Sequence, residues 1–374
     1  MIGFLVWAHV YLAQRLVLDP ALPEPWRSLA LGAVALLGLS LVLQPIAERT
    51  LPHRMSRWIA WPASLWMGFA FLALLGLWVS DAVLFVAGGT ASAATVEAGA
   101  SAVAAPRAAL VVALALVATG VGLRGALRPP ADVRVEIPLK RWPRALDGFR
   151  IVQISDIHIG PILDRRFARH LVERIAALEP DLVAVTGDLV DGGVTQLADE
   201  VAPLAELRAR HGVFFVTGNH DHYSGASAWA AKTGELGWRV LRNQRVEVEA
   251  EGVVFDLAGV DDHRGDMIGG EGGEDLDAAL AGREPERPCL LLAHDPSTFK
   301  RASEMGIDLQ LSGHTHGGQI WPFYWFVRLA IPFVAGRYRR GDAELYVSRG
   351  TGFWGPPLRL FAPAEITEIL LRSA

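Results

Sequence analysis

Long apolar runs without charged residues dominate the first third of the chain. Ser28–Ala47 holds twenty consecutive uncharged residues and Trp58–Ser80 holds twenty-three. A helix rises about 1.5 Å per residue and the hydrocarbon core of a bilayer is about 30 Å thick, so each run is long enough to cross it. Ala108–Leu123 is shorter, at sixteen residues, and Met1–Leu18 is interrupted by polar side chains. We predict an all-α transmembrane domain of about four helices over residues 1–128.

Beyond residue 130 the pattern changes to short β-branched runs that alternate with helical periodicity. Arg150–Ser155 and Leu182–Thr186 are typical of buried strands, and Asp164 is placed to cap a helix that ends near Leu178. Further strands are predicted at Val213–Thr217, Val253–Val260, Cys289–Ala293, Asp308–Ser312, Glu344–Ser348 and Ile366–Leu371. This alternation predicts an α/β domain with sheets buried under helices over residues 149–374. Prolines at positions 129, 130 and 138 indicate a linker over residues 129–148.

Charge separates the two parts further. Residues 1–130 carry 8 Lys/Arg and 5 Asp/Glu, a net charge of +3, and residues 131–374 carry a net charge of −8. An apolar, basic first part joined to an acidic remainder excludes a single soluble domain and a disordered chain. The acidic part also lacks the clustered positive charge of a nucleic-acid-binding surface. Cys289 is the only cysteine, so an intrachain disulfide is excluded.

Basic residues in the short loops predict the orientation in the membrane. The loop between the second and third spans holds three arginines, and six basic residues follow the fourth span. The other two loops hold only Arg27 and Arg107. Because positive loops stay inside, we expect an integral protein of the cell inner membrane with a cytoplasmic C-terminal domain. Residues 85–105, rich in small side chains, are predicted to form a flexible external loop.

Five polar clusters each follow an apolar strand. They are Asp156-Ile157-His158, Gly187-Asp188 with Asp191, Gly218-Asn219-His220-Asp221, His294-Asp295 and Gly313-His314-Thr315-His316. The carboxyl ends of strands are where α/β sheets present their sites. Carboxylates, imidazoles and a side-chain amide, without a thiolate, suit divalent ions such as Mn, Fe or Zn. The set supplies seven candidate ligands, which is enough for two metal ions that share a bridging anion.

The order D-x-H, G-D-x-x-D, G-N-H-D, H and G-H-T-H resembles the signature of the calcineurin-like metallophosphoesterases, over about Phe149–Leu371. Membrane spans in front of such a domain, with the run G-H-T-H-G-G-Q-I, resemble the membrane-anchored bacterial branch of that family. The resemblance implies a double β-sheet sandwich flanked by helices. It also implies that Asp156, His158 and His316 bind one metal, that Asn219, His294 and His314 bind the other, and that Asp188 bridges both.

The resemblance implies separate roles for the remaining signature residues. His220 would not bind metal but would lie near the scissile phosphate, where it stabilises the transition state or protonates the leaving oxygen. We expect Asp221 to hold the His220 imidazole in the required tautomer. Asp191 either orients a ligand or serves as a turn residue. His222 and the cluster Asp261–His263 match no signature position, and we expect them on a surface loop.

We therefore predict a metal-dependent hydrolase of phosphoric-ester or pyrophosphate bonds. Two metal ions would lower the pKa of a shared water, so that hydroxide exists near neutral pH. The expected partners are the lipid bilayer and a phosphate-containing, lipid-like substrate, such as that of UDP-diacylglucosamine pyrophosphatases. The alternatives are a phosphodiesterase for soluble nucleotides with the membrane part only an anchor, and an inactive membrane scaffold. A transporter would need polar residues throughout its spans, which are nearly absent here.

Ile320–Gly336 directly follows the last candidate ligands and holds six aromatic residues but only one charge, Arg328. Pro322 and Pro332 leave nine residues between them, too few to span a bilayer. Aromatic side chains followed by arginines are typical of a segment that lies in an anionic membrane surface. We expect this segment to deliver a lipid-borne phosphate to the metals; the alternative is a strand pair buried in the core of the domain.

Overall fold

The computed structural model of the protein describes residues 2–88, 93–268 and 270–374. The chain divides into two compact units. One consists of Met1–Arg124 with Gly355–Leu358, and the other of Gly125–Trp354 with Arg359–Ala374.

Helices build the N-terminal unit. They are α1 (Ile2–Ala13), continued by a π-helical turn (Gln14–Leu18), α2 (Trp26–Thr50), α3 (His53–Gly88) and α4 (Ala93–Ala126). Within the described residues, α2, α3 and α4 are long and apolar enough to cross a membrane, whereas Ile2–Leu18 is a shorter apolar helix. The loop predicted at 85–105 is instead helical up to Gly88 and again from Ala93, because its alanine-rich sequence favours helix. Its residues 89–92 lie outside the described residues.

A polar network joins three helices of this unit. Asp81 on α3 accepts hydrogen bonds from Tyr11 on α1 and from Arg107 on α4. Its Oδ2 also lies 3.2 Å from Arg15 Nη2 in the π-helical turn. Ionised groups among apolar helices are costly unless they pair with one another. The pairing therefore stabilises the packing of these helices.

Two six-stranded mixed sheets form the C-terminal unit. The strands are β1 (Ala131–Leu139), β2 (Arg150–Ile154), β3 (Leu182–Thr186), β4 (Val213–Val216), β5 (Arg239–Val240), β6 (Gln244–Ala250), β7 (Val253–Gly259), β8 (Cys289–Leu292), β9 (Leu309–Ser312), β10 (Gly336–Arg340), β11 (Ala343–Val347) and β12 (Glu365–Ser373). The first sheet has the order β1-β12-β2-β3-β4-β5 and the second β10-β11-β9-β8-β7-β6. Strands β2 to β5 run parallel, as do β7, β8, β9 and β11.

The inner faces of the two sheets pack against each other. Ile151 and Leu182 of the first sheet share one buried cluster with Leu257 and Leu290 of the second. The helices of this unit are α5 (Arg165–Ala177), α6 (Val194–Val201), α7 (Asn219–Tyr223), α8 (Ala226–Glu235), α9 (Gly265–Ile268), α10 (Leu276–Leu280), α11 (Phe299–Ala302) and α12 (Phe323–Ala330). Helices cover the outer faces of the sheets: α5, α6 and α8 bury apolar side chains against the first sheet, and α10 and α11 against the second. The predicted double-sheet sandwich flanked by helices is confirmed.

Residues 129–148, predicted as a linker, belong to the fold instead. They contain β1, which pairs in parallel with β12 along its whole length. Ile137, Leu139 and Trp142 are buried in the core between the sheets. The gain from burying these apolar side chains outweighs the cost of Pro138, which lacks a backbone N–H. An edge strand such as β1 tolerates a proline because one of its two edges has no neighbouring strand to donate to. The polar strands β6 and β10 were likewise absent from the predicted elements.

Candidate metal centre

Strand ends from both sheets bring the candidate ligands together. β2, β3 and β4 are parallel neighbours, and their carboxyl ends lead into Asp156, Asp188 and Asn219. In the facing sheet, β8 leads into His294, and β9 leads into His314 and His316. Because parallel strands end at the same edge, residues separated by up to 160 positions meet in one place.

Asp156, His158 and His316 form one compact, buried group, with one ligand atom of each within 4.8 Å of the others. His158 Nε2 lies 3.1 Å from His316 Nε2, and His316 Nε2 lies 3.4 Å from Asp156 Oδ1. Burial lowers the pKa of His316 well below its usual range, and the nearby His158 and Arg359 lower it further. His316 is therefore neutral, which is the form of imidazole that binds a metal ion.

A second group consists of Asp188, His294 and His314. His294 Nε2 lies 3.2 Å from both Asp188 Oδ2 and His314 Nδ1. Nδ1 of His294 is 2.8 Å from the Thr186 carbonyl oxygen, to which it donates, so Nε2 is the nitrogen that remains for a ligand. The donor set of carboxylate oxygen and two imidazoles fits a divalent transition metal.

Asn219 Oδ1 is a buried oxygen without a hydrogen-bond partner within the described part of the chain. Buried acceptors in folded proteins are almost always satisfied, so an orphaned one requires an explanation. A cation at this position would supply the missing partner. The observation therefore fits Asn219 as an oxygen ligand.

Asp188 lies between the two groups. Its Oδ2 is 3.2 Å from His294 Nε2 and 3.7 Å from His158 Nε2. Burial alone raises the pKa of Asp188, but the nearby imidazoles of His294 and His220 lower it well below its usual range. The carboxylate is therefore ionised and reaches both groups, as a bridging ligand must.

Backbone strain concentrates at this centre. Five of the seven candidate ligands have φ between 50° and 71°, the left-handed region that side chains other than glycine rarely adopt. They are Asp156, His158, Asp188, His314 and His316. Glycine allows the close approach at one of these loops, because a Cβ on Gly313 would lie 2.3 Å from Asp156 Oδ2. Such strain is typical of functional sites, where the surrounding fold holds ligands in place.

Asp191 is the carboxylate that holds His220. Its Oδ1 lies 2.6 Å from His220 Nδ1 and 3.0 Å from His158 Nδ1. Burial lowers the pKa of His220, but Asp188 and Asp191 raise it to about 9. One carboxylate thus contacts both a candidate ligand and the predicted catalytic imidazole, which is the arrangement that an orienting role of Asp191 requires.

The prediction that Asp221 orients His220 is wrong. Both residues lie on the short helix α7, where adjacent side chains point to different faces. The Asp221 carboxylate turns inward and accepts hydrogen bonds from the backbone N–H groups of Asp188, Leu189 and Gly218 at 2.8–3.0 Å. Burial and the nearby Asp188 raise the pKa of Asp221 to about 7. Asp221 therefore fixes the loop that carries Asp188.

The cluster predicted on a surface loop is instead buried. His222, Asp261 and Asp262 are buried, and Thr217 Oγ1 donates to Asp261 Oδ1 at 2.8 Å.

Arg359 is a buried residue that the sequence analysis did not single out. Its guanidinium donates to several backbone carbonyls and lies 3.2 Å from His316 Nδ1. Burial lowers the pKa of Arg359 to about 10. No local sequence motif marks Arg359, because its partners are backbone groups of distant loops.

Comparisons with known proteins agree with this geometry. The family model described as "Calcineurin-like phosphoesterase" matches residues 149–318. The chain is 42% identical over 279 residues to "Transmembrane protein with metallophosphoesterase domain" from Bos taurus, covering 72% of this chain and 63% of that protein. It thus spans less than two thirds of that relative. An uncharacterised metallophosphoesterase of Aquifex aeolicus is 34% identical, over 64% of this chain and 92% of its own length.

Among solved structures, a dimetal phosphatase from Danio rerio is similar with a TM-score of 0.36 and 14% identity. That similarity covers 55% of this chain and 88% of the other.

Proposed function

The chain belongs to the calcineurin-like phosphoesterases, and on that premise we propose that its C-terminal unit hydrolyses phosphoric-ester bonds at a centre for two divalent metal ions. One ion would be held by Asp156, His158 and His316, and the other by Asn219, His294 and His314. Asp188 would bridge them. The observation that carries the proposal is the orphaned, buried Asn219 Oδ1 together with two compact donor groups that share one carboxylate.

Mn, Fe and Zn suit this mixture of imidazole and oxygen donors. When bound, such ions supply Lewis acidity toward the phosphoryl oxygens and lower the pKa of water. The protein contributes the rest: ionised carboxylates that offset the ionic charge, and strained loops that fix the donors before the substrate arrives.

His220 is the group that donates a proton to the leaving oxygen. In hydrolysis, the oxygen of water bonds to phosphorus, the bond from phosphorus to the leaving oxygen breaks, and the leaving oxygen takes up a proton. Asp191 occupies Nδ1 of His220, which leaves Nε2 to face the substrate. The Asp191 carboxylate also favours the protonated imidazole, which is the form that donates.

The test is hydrolysis and metal content measured on the same preparation of the full chain in detergent. We expect Mn²⁺-dependent release of p-nitrophenol from p-nitrophenyl phosphate esters and two bound ions per chain. Asn219→Ala should lower the metal content and the rate together. Asp164→Asn, which alters an exposed helix-capping carboxylate, is the matched control and should keep both. A wild-type protein that binds no metal would overturn the proposal.

We extend the proposal to a substrate that is an amphiphile of the bilayer. Helix α12 has no buried residue and presents what we call the aromatic surface: Phe323, Trp325, Phe326 and Leu329. Trp325 is 58% exposed and Leu329 is 86% exposed. The buried strand pair considered as the alternative for this segment is not what residues 323–330 form. Exposed apolar surfaces of this kind mark interaction sites, and aromatic side chains suit the membrane interface.

The position of the aromatic surface in the chain supports delivery to the metal centre. The turn His316–Gly318 packs against α12, since a Cβ on Gly318 would lie 2.5 Å from Tyr324 Cα. Four residues separate the end of the apolar helix α4 from the start of β1. These four residues make five peptide steps of at most about 3.6 Å each, so a membrane-spanning α4 would tether β1 to the bilayer through a connection of at most about 18 Å.

Replacing Trp325 and Phe326 together with Ser tests this extension. We expect slower hydrolysis of a micelle-presented lipid phosphate and unchanged hydrolysis of a soluble aryl phosphate. Met267→Ser removes another exposed apolar side chain outside the aromatic surface and should leave the ratio of the two rates unchanged. Equal losses on both substrates, with a lowered melting temperature, would show that these rings stabilise the fold and do not bind lipid.

We also propose that the C-terminal unit lies in the cytoplasm, at the inner membrane. Arg49, Arg54 and Arg57, at the facing ends of α2 and α3, and the basic stretch after α4 support this orientation.

A further inference from the structure

Two exposed aromatic rings lie against His220. The ring centroid of Tyr223 is 5.4 Å from that of His220, and the centroid of Trp354 is 5.7 Å from it, both with edge-on geometry. Tyr223 is 60% exposed and Trp354 is 50% exposed, so neither ring is needed to fill the core. Both side chains are therefore accessible to a ligand that approaches His220.

The backbone that carries each ring is connected to the loops of the candidate metal centre. Tyr223 is the last residue of α7 and lies three positions after His220, on the same side of the helix. Trp354 is held from both sides by Gln319, whose Nε2 donates to the Trp354 carbonyl at 2.7 Å and whose Oε1 accepts from the Trp354 N–H at 3.0 Å. Gln319 itself follows His316 by three residues. Both rings thus have set positions relative to the candidate ligands.

We propose that Tyr223 and Trp354 form a subsite for an apolar leaving group. The inference rests on the proposed function, because His220 is there the residue that faces the leaving oxygen. Whatever is bonded to that oxygen must then pass between or beside the two rings. Ring faces and edges remove apolar surface from water, so the subsite selects alcohols with an alkyl or aryl group over small or strongly hydrated ones.

Short alkyl phosphate esters distinguish the effect of this subsite from that of the aromatic surface on α12. Methyl to hexyl esters share nearly the same leaving-group acidity and stay monomeric in water, so a trend in kcat/KM with chain length reports apolar contact alone. We expect a gain of about 2-fold per added methylene, since half-exposed rings remove about half of each methylene from water. Comparing benzyl with hexyl esters tells an aryl preference from an alkyl preference.

The variants Tyr223→Ala and Trp354→Ala should each weaken the trend, so that the ratio of kcat/KM for the hexyl ester to kcat/KM for the methyl ester falls. Trp354→Phe should restore most of it. Phe361→Ala removes a ring that is 81% exposed and packs on Trp321, away from His220, and it should keep the trend of the wild type. Binding of n-alkylphosphonates, followed by tryptophan fluorescence, gives a second readout that needs no hydrolysis.

The outcomes separate the two proposals. A wild-type enzyme that cleaves all esters equally well would overturn the subsite and keep the proposed function. Chain-length-dependent binding of phosphonates without hydrolysis of any ester would overturn the proposed function, and with it the leaving-group role, while the apolar site at the two rings would stand. A trend that Phe361→Ala also removes would show general apolar adsorption and would likewise overturn the subsite.

Discussion

Replacing Asp221 with Ala should damage the fold, although its neighbour His220 belongs to the chemistry. The Asp221 carboxylate is fully buried and satisfies three backbone N–H groups. Each buried donor left without an acceptor costs about 1–3 kcal/mol, so the lower end for three donors is about 3 kcal/mol. For a unit of about 250 residues, 1 kcal/mol shifts the melting temperature by about 2–4 °C. We therefore expect a fall of at least about 6 °C, with reduced metal content because the Asp188 loop loses its support.

Asp191→Ala is the matched control for this prediction. The Asp191 side chain is 27% exposed and contacts two imidazoles, that of His220, which is 17% exposed, and that of His158, which is 1% exposed. Asp191→Ala leaves one fully buried donor without an acceptor where Asp221→Ala leaves three, so its melting temperature should fall by less than that of Asp221→Ala while the turnover falls. Both variants are compared as full chains in one detergent, with and without EDTA, by the thermal unfolding of tryptophan fluorescence. If Asp221→Ala melts like the wild type and Asp191→Ala does not, the assignment of the two carboxylates is reversed.

Three further predictions address the centre, the core and the membrane. Asp188→Asn should lower the content of both metals and remove most activity. His220→Ala should keep the metals and slow turnover by about 10²- to 10⁴-fold. The metal content of purified His220→Ala is the test, and a metal-free protein would contradict the role of His220. Burial raises the pKa of the Cys289 thiol to about 12, so maleimide at pH 8 should label it only after denaturation, and rapid labelling of the native chain would refute its burial. A reporter enzyme that works only in the cytoplasm should be active when it is fused after Ala374, and alkaline phosphatase, which works only outside, should be inactive there. Alkaline phosphatase activity at that position would place the C-terminal unit outside.

Local sequence patterns were sufficient to predict most of the strands and helices of the fold. Compact apolar runs such as Leu182–Thr186 became buried strands with the predicted bounds, and Asp164 caps the predicted helix by accepting from the Arg166 N–H. Strands β6 and β10 carry alternating or frequent charges, so their pairing depends on neighbours far away in sequence. β1 was missed because Pro138 lies in it and two prolines precede it, and it forms a strand because β12 pairs with it along its whole length.

The roles of residues around His220 were harder to predict, because adjacent letters in a motif do not specify the direction of side chains. Asp221 is next to His220 in sequence but on another face of α7, whereas Asp191 reaches the imidazole from a different loop. Arg359 shows the same limit, since its partners are backbone carbonyls that only the folded chain brings together.

The candidate ligands are divided between the two sheets, four after strands of the first and three after strands of the second. Any ion bound by both sets would cross-link two layers that also meet through apolar packing and through hydrogen bonds such as the one from Gln153 Nε2 to the Ser312 carbonyl oxygen. Ligands that bind only the native state stabilise it by mass action, by about 2.7 kcal/mol at a concentration 100-fold above the dissociation constant. The supply of metal in the cell would then govern how much of the C-terminal unit is folded, and so its lifetime against proteolysis, in addition to its catalytic rate.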